Sequence, residues 1–96
     1  MIYMLCRNRV EDFSRWKSVF ASHRTAHEQA GLRLVHLWRG VEEVDDGEPH
    51  NVFFVFEVAG MDKARAFIST PEAAKAGEAS GVIDGEYHFV ADAGGY

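Results

Sequence analysis

An α+β protomer with its elements in the order β-α-β-β-α-β is what this sequence of 96 residues predicts. Three observations carry that reading. Four stretches are rich in aromatic and β-branched residues, as strands are. Two stretches between them repeat their apolar residues at helical spacing. Capping or turn residues stand at the changes from one to the other.

Residues 2–8, IYMLCRN, read as the first strand. The segment VEDFSRWKSVFASHRTAHEQAG then switches to helical period. Asp12 suits an N-cap, because a short carboxylate accepts from the free amides of a first turn. Gly31 suits the position just past the end, where the left-handed conformation closes a helix. Between them Phe13, Trp16, Phe20, His23, His27 and Ala30 recur at spacing 3-4-3-4-3. At helical period these six fall within an arc of roughly 100°. Residues 32–43, LRLVHLWRGVEE, read as the second strand, and VDDGEPH as a hairpin-like turn with Gly47 and Pro49. NVFFVFEV, 51–58, is the clearest strand. A second helix starts in GMDKARAFIST and restarts at TPEAAKAGEASG, where Thr70 can cap, Pro71 suits the first turn and Gly81 can close. VIDGEYHFVAD, 82–92, is the last strand; the domain spans 1–92 and 93–96 form a tail.

This order is the split β-α-β, or ferredoxin-like, arrangement: a four-stranded antiparallel sheet with both helices on one face. A sheet with one wet face alternates apolar and polar residues. The third strand instead sends Val52, Phe54 and Phe56 one way and Phe53 and Val55 the other, and the first strand opposes Ile2, Met4 and Cys6 to Tyr3 and Leu5. Both faces call for burial, while the helices cover one. A second copy, sheet against sheet about a two-fold axis, is the expected remedy. A chain this short also gains core by associating.

Composition narrows the function classes. Ten basic against fifteen acidic residues give a net charge of -5, which disfavours nucleic acid and anionic membrane surfaces as partners. Cys6 is the single cysteine, so no internal disulfide forms and a reducing, cytoplasmic setting is expected. The opening apolar run is too short for a signal-peptide core or a bilayer span.

Several stretches, EDFSRWKSVFASH, LWRG, PHNVFFVFEV and MDKARAFISTPEAAKAGEASGV, resemble the dimeric α+β barrel superfamily. Within it they are most similar to a short bacterial group related to antibiotic-biosynthesis monooxygenases. The resemblance implies a ligand cleft between helices and sheet. The haem-degrading members of that superfamily use an Asn on the first strand, a Trp on the third and a His on the second helix. Asn8 matches the first, but the third strand has no Trp and residues 61–80 have no His, so haem degradation is not implied.

Two histidines four apart on one helix face, His23 and His27, can in principle chelate an ion. A third ligand would have to come from His36, His88, Cys6 or Glu57, and no metal is expected. Histidine is also the commonest general base. At the end of a stripe, it can equally be an amphipathic residue with a wet edge, and His27 suits the negative end of a helix dipole. His23 is explained less well in that way and is the catalytic candidate. Trp16, His23, His27 and Trp38 are expected to line a site for a small hydrophobic or aromatic molecule. The reaction would be monooxygenase-like or cyclase-like, with no cofactor: phosphate-loop and dinucleotide patterns are missing. The alternative is a non-catalytic ligand-binding or structural homodimer.

Overall fold

The computed structural model describes residues 1–42 and 49–96; the turn expected around Gly47 lies outside the described residues. The elements are β1 (Ile2–Val10), α1 (Phe13–Ser22), α2 (Arg24–Gln29), β2 (Leu32–Arg39), β3 (His50–Val58), α3 (Met61–Ile68), α4 (Pro71–Ala79) and β4 (Val82–Ala91). The strands form one antiparallel sheet in the order β2-β3-β1-β4. The helices lie on one of its faces, as in the ferredoxin-like fold.

The expected caps are in place. Asp12 Oδ1 accepts from the Arg15 amide at 3.0 Å, and Thr70 Oγ1 accepts from the Ala73 amide at 3.2 Å. Gly31 and Gly81 hold φ of 75° and 76°. The carbonyl of each then receives an amide from the far end of a neighbouring strand pair: Ala59 donates to Gly31 at 2.9 Å and Glu11 to Gly81 at 3.1 Å.

The long first helix divides at His23. Ser22 Oγ donates to the Val19 carbonyl at 2.6 Å, and His23 Nδ1 meets the same oxygen at 2.8 Å. That oxygen is the one a continuous helix would offer to the His23 amide. The amide turns to the Phe20 carbonyl at 3.1 Å instead, a tighter bond that ends α1.

On the helix-facing side of the sheet, Met4 opposes Phe56 and Cys6 opposes Phe54. Trp16 fits over them at 1% exposure, with its ring 4.6 Å from Phe20 and 5.5 Å from Phe54. Each such side chain contributes about 1.5–3 kcal/mol by leaving water. The opposite face carries Leu5, Phe53, Trp38 and Val90, 36–48% exposed. Beside them Arg7 donates to Glu86 at 2.8 Å and Asn51 at 2.9 Å, while Arg9 holds Asp84. The two guanidinium groups hold the Asp84 and Glu86 carboxyls below their ordinary range.

β2 departs from regular alternation. Leu34 opposes Phe56 and His36 opposes Val55, so Val35 is an extra residue between them. Such a bulge reverses which face later residues occupy. Leu37 and Arg39 therefore turn toward the helices, and Arg39 lies over Phe13 at 5.5 Å. Trp38 turns to the open face, stacked on His36 with ring centroids 4.7 Å apart.

Candidate functional site

α1 and α4 diverge over β1 and β4 and leave a cavity of about 340 Å³. One wall is aromatic and comes from the stripe of the first helix pair: Trp16, Phe20, His23 and His27. The opposite wall is α4 and its C-cap, small along most of its length at Ala73, Ala76, Gly77 and Ser80, with Glu72 at the start of the helix. The floor includes Met4, Cys6 and Phe54. Small side chains on one wall and large ones on the other leave room that the fold alone does not require.

Three of the four expected ligand-binding residues, Trp16, His23 and His27, lie along this cavity. Trp38 does not. The bulge at Val35 places it on the far side of the sheet, so its assignment to the cleft is corrected. Strict two-residue alternation along β2 would have pointed Trp38 inward with Leu32 and Leu34, and the extra residue breaks that count.

The two histidines differ in their surroundings. His23 sits at the junction of α1 and α2, with Nδ1 held by the Val19 carbonyl. A carbonyl accepts only, so in the neutral ring Nδ1 carries the proton and Nε2 keeps its lone pair. That is the form a general base requires. His27 is half-buried among aromatic rings, with centroids 5.0 Å from Phe20, 5.1 Å from Phe56 and 5.7 Å from Phe67. It is not the wet, charged helix end expected from its position. Burial, and secondarily His23, pushes its pKa below the ordinary value of 6.5, so its neutral form is favoured.

This has a sign for stability. The unfolded chain binds a proton at His27 more readily than the folded one, so folding weakens as pH falls below about 6.5. His27→Gln is expected to remove that part of the pH dependence, measured as urea midpoints at pH 7.5 and 5.0. The lower window belongs to Asp84 and Glu86, whose depressed pKa values act in the same direction only in stronger acid.

Asn8 is held at the end of the cavity. Turned with its oxygen toward the indole, its amide accepts from Trp16 Nε1 at 3.3 Å and donates to the Arg7 carbonyl at 3.1 Å. Gly85, its partner across β4, makes the room: a Cβ there would lie 2.5 Å from the Asn8 amide and 2.9 Å from the Arg7 carbonyl. Gly85→Ala is expected to cost about 1–3 kcal/mol through this crowding, read by thermal unfolding. Neither Gly85 nor the small face of α4 stood out in the sequence; the spacing of Ala73, Ala76, Gly77 and Ser80 on one helical face was the available signal. Cys6, buried in the floor, has its thiol pushed up to about 12 by desolvation, which disfavours the thiolate that a nucleophile needs. Among the described residues no three His, Cys, Asp or Glu side chains gather to hold a metal ion. Among them, too, no helix is long and apolar enough to cross a membrane.

Fold and cavity together define a ferredoxin-like α+β protomer. Solved structures share it over nearly their whole length. An uncharacterised NIPSNAP domain protein from Burkholderia xenovorans superposes with a TM-score of 0.63 at 12% identity, over 97% of this chain and 95% of that one. SnoaB, a cofactor-independent oxygenase from Streptomyces nogalater, gives 0.56 at 17% identity, over 98% and 94%. A Bordetella bronchiseptica protein described as a candidate antibiotic biosynthesis monooxygenase gives 0.64 at 14% identity, over 95% of both chains. No family model and no curated protein matches the sequence. At these identities the likeness is one of fold.

Proposed function

We propose that this protein binds a small hydrophobic or aromatic molecule in the cavity between helices and sheet, and that His23 acts on it as a base. One observation carries the reading: an apolar cavity of about 340 Å³ has a wall on which an aromatic stripe ends in His23, its Nε2 free to accept a proton. Such a volume lies in the range of small-molecule sites. In this reading Nε2 takes a proton from an acidic C–H or phenol, and the resulting anion is held among aromatic rings. The anion then closes a ring on an internal carbonyl, cyclase-like, or passes electrons to dioxygen, monooxygenase-like. SnoaB, a cofactor-independent oxygenase, and the Bordetella candidate monooxygenase, both of this fold, support the second course.

The open sheet face supports a further part of the reading, a homodimer through the sheets. Leu5 at 40%, Phe53 at 36% and Trp38 at 48% exposure form an apolar surface that a second copy would cover. Without turnover, the same cavity and face describe a non-catalytic ligand-binding dimer.

Trp38→Phe leaves Trp16 as the sole tryptophan, and Trp16 lies in the cavity wall. Titrating that variant with 2-naphthol is expected to quench Trp16 fluorescence to saturation. His23→Ala should keep the quenching and lose the shift of bound naphthol toward its naphtholate absorption. No saturable quenching would sink the binding reading; an unchanged naphtholate signal in His23→Ala would remove His23 as the base.

A further inference from the structure

A second cleft lies on the other side of the first helix pair, between α1–α2 and the edge strand β2, with a volume of about 360 Å³. Its floor is apolar: Phe20, Leu34, Leu37 and Phe56. Leu34 opposes buried Phe56 on the helix-facing side of the sheet, yet it is 41% exposed, because the helices leave the edge strand uncovered. Its rim is a helical stripe of Lys17, Ala21, Arg24 and Glu28, at spacing 4-3-4. Glu28 is tied to Arg24 at 2.9 Å across an exposed pair. Lys17 has no carboxylate partner among the described residues. Arg33 also borders the cleft, but its guanidinium pairs with Glu57 on the open face of the sheet. Among the described residues the rim therefore presents one cation without a carboxylate partner, and a second that is held only by a surface ion pair of small worth.

From this we infer a second binding site, for a free apolar carboxylate: a head group between Lys17 and Arg24, and a chain lying over Leu34 and Leu37 toward Phe56. A neutral apolar molecule would use the floor and leave the two cations idle; an apolar amine would meet both of them, with only Glu28, already tied to Arg24, to offset them. The site stands apart from the cavity under α4, but the two share a partition. Phe20, His27, Leu32 and Phe56 border both. The inner end of a bound chain thus rests against His27, and its arrival is legible at that imidazole.

The test is a titration of isotope-labelled full chain with decanoate, followed by NMR. Decanoate is expected to shift the amides of Ala21, Arg24, Leu34 and Leu37 and the His27 ring, saturably. Decan-1-ol should bind the same residues about tenfold more weakly, one charge-assisted hydrogen bond being absent. Lys17→Gln, at an exposed position, should weaken decanoate by about tenfold and leave decanol unchanged. Decanol binding as tightly as decanoate would overturn the inference, as would indifference of decanoate to Lys17→Gln. So would shifts confined to Ala76 and Gly77, which border only the other cavity and report on the proposed main site independently.

Discussion

Trp16→Ala is expected to lower stability by about 3–5 kcal/mol, the range for removing a buried aromatic from a core. For a protein of this size that is a fall in Tm of at least about 12 °C. The size follows from what the indole does. It is 1% exposed, it stacks on Phe20 at 4.6 Å, and it donates to Asn8 on β1. Truncation removes the ring that joins α1 to the sheet and leaves the half-buried Asn8 amide oxygen without its donor, a further cost. Trp16→Phe keeps most of the packing and should fall about halfway. Differential scanning calorimetry of the two variants separates the terms. If Trp16→Ala unfolds within a few degrees of the parent, the indole is not the keystone of this core.

Phe53→Asp should act on assembly, with little effect on the protomer. Phe53 is 36% exposed on the open face of the sheet, so the isolated fold loses little. A two-fold interface counts each residue twice. An interface would bury the exposed third of each ring, so losing two of them is worth about 1–2 kcal/mol, about tenfold in the dissociation constant, before the cost of two buried carboxylates is added. Light scattering and sedimentation should show a dimer for the parent at micromolar concentration and a folded monomer for the variant. A parent that is monomeric there, or a variant that stays dimeric, would remove the sheet face as the interface.

Much of this architecture was legible in the sequence, and the misreadings have definite causes. Caps and closing glycines at Asp12, Thr70, Gly31 and Gly81 were readable because their chemistry is local. The strands were readable because Phe and Val alternate across two apolar faces. The division at His23 was not, since it depends on Ser22 and His23 side chains competing for one carbonyl. Trp38 was misplaced because one unpaired residue, Val35, reverses the faces beyond it, and no turn residue marks that bulge. His27 was placed on the right stripe, but its surroundings come from Phe56 and Phe67, far away in the chain. Its neutral character could not be read from helix position alone.

The two glycine junctions have a consequence for the origin of the cavity. Gly31 and Gly81 have nearly the same φ, each follows a divided helix, and each accepts an amide just past a paired strand. The chain is thus two β-α-α-β halves related by an approximate two-fold through the β1–β3 pair. In side chains the halves are unequal. Counted from their N-caps, Trp16 of α1 matches Ala64 of α3, and both are buried, so the first half places an indole where the second places a methyl group. The second half instead brings Ala73, Ala76 and Gly77 of α4 alongside that indole, and the hollow lies between the two.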